Sequence, residues 1–294
     1  MDQITYRPAE VADIPRLVEL MNAQYTRKKV ATYFLWQYFE SAYPTVMMCA
    51  VADSSIVGMF GLQRRELSNS AIVGQAIDLL LVPDWRGKGI FKNLEIKAAE
   101  FFNDLDILCV LPNLNGKNAC EKNLGWKTIQ KVDSMLCGEV NAGSSLNFSP
   151  RHGSALTKFK FDADIRSWRY HKNPEYSYEQ VVLNSGEFAI TKIYIDPVTN
   201  RRFGDIVDFG CDLSNADGML ELFHRACLHL KTQDIESITT WALPHTLLYD
   251  ALKKLGFVSF PQERYFCLKV LSHKYNFLYD ISNWHLVQAD AEIY

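Results

Sequence analysis

Nothing in this 294-residue chain approaches the roughly 18 consecutive apolar residues of a membrane-spanning helix, so no span is expected. Paired cysteines are missing as well. The seven (Cys49, Cys109, Cys120, Cys137, Cys211, Cys227 and Cys267) are odd in number, stand singly and form no C-x-x-C. That pattern argues against a disulfide framework and against a zinc site or any other metal centre, and fits thiols buried in a reducing cytoplasm. His224 and His229 lie five apart, so they do not share a helix face as the histidines of H-E-x-x-H do. Both read as ordinary helix residues. An excess of positive charge is also wanting. With 31 basic and 34 acidic residues the net charge is −3, the wrong balance for a nucleic-acid partner. The opening Met1-Asp2-Gln3-Ile4-Thr5 is acidic and polar, unlike a secretory signal, and a cytoplasmic protein is expected.

What is present is core-forming material. Hydrophobic residues make up 48% and charged residues 22%, and the length suits two domains of ordinary size. Ile4 to Arg7 reads as a short strand, followed by a helix capped by Asp13 with apolar Ile14, Leu17, Val18, Leu20 and Met21 at helical spacing. Thr45 to Ala52 and Ile56 to Leu62 read as a hairpin around Asp53-Ser54-Ser55. Ala76 to Val82 is a nearly continuous apolar run, as in a strand covered on both faces. A helix is expected from about Phe91 to Phe102, a buried strand from Leu105 to Leu111, and a short helix after Pro112 ending at Gly125.

Gly138 to Pro150 is rich in Gly, Ser and Asn without periodicity and predicts a linker, giving domains over 1–142 and 150–294. The second half repeats landmarks of the first at an offset of 130 to 132 residues. Trp36-Gln-Tyr38 recurs as Trp168-Arg-Tyr170, Gly74 to Asp78 as Gly204 to Asp208, and Leu124-Gly125-Trp126 as Leu255-Gly256-Phe257. Their common order and spacing predict two copies of one α/β fold. The aromatics at repeated positions, with Tyr43, Tyr176 and Tyr178, read as packing residues rather than a sugar platform. The tail from Tyr275 to Tyr294 is expected to add a strand or to close a substrate cleft.

The repeat breaks at one place. The first copy reads Val82-Pro83-Asp84-Trp85-Arg86-Gly87-Lys88-Gly89-Ile90-Phe91-Lys92, a buried strand running through two glycines and several cations into a helix. Glycines permit positive φ and close approach of backbone to ligand. The free amides of a helix's first turn, with its dipole, suit a phosphate. The second copy has Phe209-Gly210-Cys211-Asp212-Leu213-Ser214 instead, so one active site is expected. Neither the Walker pattern G-x-x-x-x-G-K-[ST] nor the Rossmann G-x-G-x-x-G is present.

Val82-Pro83 followed by Arg86-Gly87-Lys88-Gly89-Ile90 resembles the R/Q-x-x-G-x-G/A hallmark of the GCN5-related N-acetyltransferases, with Phe91 at a position that is normally small. The opening strand and helix resemble that family's first unit, and Asn113 to Trp126 its last. The resemblance covers about residues 1–140 directly and the rest through the repeat. It implies two tandem domains, each a mixed, mostly antiparallel sheet flanked by helices. It implies that acetyl-CoA or another acyl-CoA lays its diphosphate on the amides of Gly87 to Phe91, with Arg86 and Asn115 nearby, and runs its pantetheine arm along Leu80, Leu81 and Val82. The acyl group then passes directly to an amine. The tyrosine acid of many members has no counterpart: four residues before Gly125 stands Glu121, beside Cys120. Asp78, interrupting an apolar strand, is the candidate base, although Asp208 repeats it; Glu121 and Asn113 are further catalytic candidates. The acceptor implied is a small-molecule amine or an amino sugar, by resemblance to two-copy bacterial members. The second copy is expected to support the acceptor side. An aminoacyl transferase similar to the peptidoglycan-building enzymes and a non-catalytic CoA-binding module are the alternatives.

Overall fold

A computed structural model describes residues 4–25, 28–140 and 156–291. The linker expected over Gly138 to Pro150 falls mostly outside the described residues, as do the first three residues and the last three of the tail.

The chain forms two compact units, and each draws on both halves of the sequence. The first comprises Met1–Gln130, Phe159–Glu175 and Tyr265–Tyr279; the second comprises Lys131–Lys158, Tyr176–Arg264 and Asp280–Tyr294. In the first unit, β1 (Thr5–Pro8) is followed by α1 (Ile14–Gln24), α2 (Ala31–Phe34) with a π-helical turn over Leu35–Phe39, and then β2 (Thr45–Ala52), β3 (Ser55–Glu66) and β4 (Ile72–Leu81). After α3 (Ile90–Phe101) come β5 (Ile107–Val110), α4 (Leu114–Ala119) with a π-helical turn over Cys120–Leu124, and β6 (Lys127–Lys131). The remaining elements are β7 (Ser134–Cys137), α5 (Ala163–Arg166) with a π-helical turn over Ser167–His171, β8 (Tyr178–Val182), β9 (Phe188–Ile195), β10 (Arg202–Gly210), α6 (Ala216–Lys231), β11 (Ser237–Trp241), α7 (Leu247–Lys254), β12 (Val258–Phe260) and β13 (Tyr265–Val270).

The first unit's sheet has the order β1-β2-β3-β4-β5-β13-β6 and the second's, read from its far edge, β8-β9-β10-β11-β7-β12. In each, a four-strand antiparallel or three-strand antiparallel run ends in a single parallel pair, β4 with β5 and β10 with β11. The strand beyond that pair comes from the other half of the sequence in both units: β13 lies on β5, and β7 lies on β11. The expected two copies of one fold are therefore present, each completed by the other's last strand. No sequence signal marks this exchange, because β7 and β13 occupy equivalent places in the repeat.

Both faces of the first sheet are covered, and strand alternation records it. Val46, Met48 and Ala50 of β2 join Phe60, Leu94 and Ala98 on one face. Met47 and Cys49, between them, join Leu17, Tyr33 and Phe34 on the other. The helix after β1 keeps its expected place, but Asp13 does not cap it with its side chain. The carboxylate instead takes Arg7 at 2.6 and 2.8 Å and the amide of Glu10 at 2.8 Å, and the Arg7 guanidinium holds it below the usual carboxylate range. Trp36 and Trp168 stack 4.5 Å apart, each indole donating to the other's carbonyl at 3.1 Å, so the repeated tryptophans pack on each other. The described part of the tail adds no strand to either sheet and includes short 3-10 turns. All seven cysteines are free.

One buried carboxylate ties the exchanged strand in place. Glu95 of α3 accepts the Trp126 indole at 2.9 Å and pairs with Lys269 of β13. Glu95→Ala strands both donors, and is expected to lower unfolding free energy by about 2 kcal/mol in a denaturant titration, with Glu95→Gln losing less.

Candidate active site

β4 and β5 pair only from Val73 to Gln75 against Ile107 to Cys109. Beyond that the parallel register ends, and β4 continues to Leu81 paired only with β3. The cause lies in β4 itself. Its register slips between Ile77 and Leu80, and Asp78 sits in the slip with φ +49°. A non-glycine residue rarely adopts that backbone, and asparagine and aspartate tolerate it best. The slip also resets the alternation, placing Ile77 and Leu80 on one core face and Ala76, Leu79 and Leu81 on the other.

Two buried phenols fix the Asp78 side chain. Tyr33 and Tyr38 both donate to Asp78 Oδ2 at 2.8 Å. Its other oxygen, Oδ1, accepts no hydrogen bond among the described residues. Tyr33 is 1% exposed and Tyr38 7%, so these donors are preset rather than drawn from solvent. Gly61, opposite the bulge, leaves the room: a Cβ there would lie 2.4 Å from Tyr38 Oη and 2.6 Å from the Ile77 carbonyl. The repeated Asp208 shares the alignment but not the surroundings. It is buried, lacks the positive φ and accepts the amide of Phe209 at 2.8 Å.

β4 leads through Val82, whose amide is used by Val57, and a 3-10 turn at Pro83–Trp85 into the glycine loop. Gly87 and Gly89 have φ of +76° and +75°, and a Cβ on either would meet nothing within 4 Å. Glycine is needed here for the backbone conformation, and the space above it is open. Gly89 begins α3 without any side-chain cap. Among the described residues, no hydrogen bond uses the amides of Gly87, Lys88, Gly89, Ile90, Phe91 or Lys92. The Arg86 side chain donates to the Leu81 carbonyl at 3.1 Å and to Gln24 at 3.4 Å, while the Lys88 ammonium lies 4.5 Å from the Trp85 ring centre. Phe91, the bulky residue where a small one was expected, turns inward and packs on Phe60 with ring centres 5.9 Å apart.

The same place in the second unit is filled by its own chain. α6 is capped by Asn215, which accepts the amide of Gly218 at 3.0 Å, and Asp212 takes the amide and hydroxyl of Ser214. Where β10 and β11 part, Thr240 donates to the Ile206 carbonyl at 2.8 Å. Gln288 of the tail bonds Thr239 of β11 at 2.9 Å and also reaches Asp205 of β10. The buried tail segment from Trp284 to Ala291 thus closes in the second unit what stays open in the first.

The other sequence candidates lie apart from these features. Asn113 caps α4, accepting the amide of Gly116 at 3.0 Å, and Asn115 is exposed on the same short helix. Glu121 takes Lys117 at 2.8 Å and the hydroxyl of Thr128 at 2.6 Å; these bonds, Lys117's first, hold its carboxyl below the usual range. A carboxylate kept ionised has no proton to donate. Burial pushes the neighbouring Cys120 thiol up to about 12, which leaves it inert as a nucleophile. Leu80, Leu81 and Val82 form the last stretch of β4 and its exit, as expected. Sequence reasoning missed Tyr33, and took Tyr38 for packing alone. The available signal was the repeat: Trp36 and Tyr38 recur, but the position of Tyr33 holds Ile165 in the second copy. Among the described residues no group of three or more histidine, cysteine or acidic side chains is placed to hold a metal ion.

No protein-family model matches the chain, and no curated protein matches it in sequence. Solved structures do. A GCN5-related N-acetyltransferase from Kribbella flavida superposes with a TM-score of 0.59 at 8% identity, covering 92% of this chain and 71% of that one. The N-myristoyltransferase of Saccharomyces cerevisiae with bound myristoyl-CoA gives 0.56 at 10% identity, covering 91% and 79%. The GCN5-related glucosamine N-acetyltransferase region of a fungal multi-domain GH3 β-N-acetylglucosaminidase gives 0.58 at 13% identity; 91% of this chain is covered, and it spans 38% of that longer one. These likenesses, extending over nine-tenths of the chain, are likenesses of fold. The fold is that of the GCN5-related N-acetyltransferases, present twice in tandem.

Proposed function

We propose that the protein transfers an acyl group from acetyl-CoA, or a close acyl-CoA relative, to the primary amine of a small molecule or amino sugar. One observation carries the reading: the first turn of α3 opens on a row of uncommitted amides with two left-handed glycines, at the end of a strand that has no strand partner toward β5. Those amides and the helix dipole suit the diphosphate of CoA. Arg86, Lys88 and Lys92 add charge for its phosphates, at the cost to Arg86 of releasing the Leu81 carbonyl. The edge of β4 from Ala76 to Leu81, which has no strand partner toward β5, suits the amides of a pantetheine arm, which would pair with it as an added strand does once Tyr25 and Arg86 release the Leu79 and Leu81 carbonyls. The acyl-CoA bound in the S. cerevisiae N-myristoyltransferase structure supports a ligand of this class.

Asp78 is then the candidate base. The acceptor amine loses its proton to Oδ1, the free nitrogen attacks the thioester carbonyl, and the C–S bond breaks as CoA leaves as a thiolate. Glu121 is poorly suited to protonate that thiolate, so it departs as the anion, stabilised by a hydrogen bond from water or a backbone N–H, and takes its proton from solvent. Most of the rate enhancement is then positioning of amine against thioester. The glucosamine N-acetyltransferase region among the similar structures favours glucosamine as the first acceptor to try, alongside lysine and spermidine.

Calorimetry with acetyl-CoA should give a micromolar or tighter Kd. Gly89→Val, which forces a branched side chain into φ +75°, should weaken it at least tenfold, whereas Asn215→Ala at the second unit's capped helix should leave it unchanged. Asp78→Asn should lower kcat by roughly 100-fold while acetyl-CoA affinity stays within about twofold. Acetyl-CoA binding without acylation of any primary amine tested would replace this reading with that of a CoA-binding module.

A further inference from the structure

The phenol of Tyr33 is engaged on both sides. Its hydroxyl donates to Asp78 Oδ2 at 2.8 Å, and the ammonium of Lys29 lies 3.5 Å from the centre of its ring. Lys29 in turn pairs with Glu175 at 2.8 Å, both side chains largely buried at 15% and 12% exposure. The segment that carries Lys29 is clipped to α1 by Asn22, which accepts the Lys29 amide at 2.7 Å and donates to its carbonyl at 2.9 Å. Glu175 is steadied by Asn173, which accepts its amide at 2.8 Å. A continuous set of contacts therefore runs from Glu175 through Lys29 and Tyr33 to the carboxylate in the β4 bulge, with Tyr38 closing the far side.

Packing alone does not account for this set. The repeat conserves what the fold needs from these helices, Trp36 as Trp168 and Tyr38 as Tyr170. At the same offset Lys29 becomes Phe161, Tyr33 becomes Ile165, and Glu175 corresponds to Tyr43. Lys29 and Tyr33 belong to the copy that holds the glycine loop, whereas the counterparts Phe161 and Tyr43 lie beside a different cation, Arg65, 4.9 and 5.2 Å from their ring centres. What sets the first copy's cation apart is the ring beneath it: the Tyr33 phenol under Lys29 donates to the Asp78 carboxylate, and Ile165 at the repeated position has no hydroxyl to do so.

Resting on the acyl-transfer reading above, we infer that Lys29 and Tyr33 are positioning residues for Asp78. Lys29 sits over the ring of Tyr33 and fixes its plane; Tyr33 and Tyr38 then hold Oδ2, so that Oδ1 is presented to the acceptor amine in one orientation. A cation over an aromatic ring also draws electron density from it, which strengthens the phenol as a donor. Neither residue touches acyl-CoA or acceptor in this arrangement. Their effect is on kcat through the carboxylate.

The test uses the full chain with acetyl-CoA as donor and glucosamine, lysine and spermidine as acceptors, following whichever is acylated. Tyr33→Phe should lower kcat about tenfold, the value of one hydrogen bond to a charged group, with acetyl-CoA Kd and acceptor KM within twofold. Lys29→Met should lower kcat several-fold, and Lys29→Arg should restore it. Because Lys29→Met strands the Glu175 carboxylate, the double variant Lys29→Met, Glu175→Gln serves as the folding control. It should recover the melting temperature and keep the low kcat. In an Asp78→Asn background the Tyr33→Phe and Lys29→Met changes should have no further effect on kcat. Wild-type kcat in Tyr33→Phe and in the double variant, or equal further losses in the Asp78→Asn background, overturns the inference while acyl transfer stands. Absence of acetyl-CoA binding by the unaltered protein overturns the acyl-transfer reading, and the positioning role falls with it.

Discussion

The functional account depends on backbone amides that the fold leaves unspent. Every helix begins with N–H groups that have no partner within the helix, and most chains satisfy them with a side-chain cap. α6 does so, through Asn215 and the turn around Asp212. α3 does not: the residue at its cap is glycine in a left-handed conformation, and the loop before it contributes a second such glycine. These amides lie at the end of a strand that has no strand partner on its β5 side beyond Gln75, where only the side chains of Tyr25 and Arg86 take the Leu79 and Leu81 carbonyls. An anionic ligand with an extended amide-bearing arm would satisfy both deficits at once, which is the ground for proposing a nucleotide thioester rather than a simple phosphate.

The bulge in β4 connects this anion site to the chemistry. An extra residue in the strand ends the pairing with β5, and the same residue, Asp78, is the carboxylate that two phenols hold. The end of the strand pairing and the placing of this carboxylate, the proposed base, thus meet at one irregularity. The equivalent strand β10 also slips, between Ile206 and Asp208, but there the gap is bridged by Thr240 and Gln288. A common fold with a common bulge is open in one copy and closed in the other, and the difference lies in a handful of side chains.

Much of this was legible in the sequence. The apolar run from Ala76 to Val82 and the glycine loop placed the end of the strand, the turn and α3 within a residue, though β4 begins four residues earlier, at Ile72, because burial on both faces and positive φ leave plain marks. The repeated Trp, Leu-Gly and Asp landmarks foretold two copies of one fold. Three things were not legible. The exchange of β7 and β13 leaves no mark, since equivalent strands satisfy either sheet. Asp13 looked like a helix cap because its position is right, but Arg7 on β1 competes for the same carboxylate and wins. Tyr33 and Lys29 were invisible beside Asp78 because they lie 45 and 49 positions away in sequence, and only the three-dimensional contacts join them. Glu121 drew attention because it stands at the position of the tyrosine acid in the resembled family, and Asn113 because it opens the segment that resembles the family's last; each has a local partner that explains its presence.

The most direct measurement is a two-dimensional amide NMR titration of the isotopically labelled protein with acetyl-CoA. The account predicts large, saturable shifts for the amides of Gly87 to Lys92, with the amides of Ala216 to Gly218 at the start of α6 unmoved. Saturable binding that leaves residues 87 to 92 unshifted, or that moves the α6 amides instead, would contradict it.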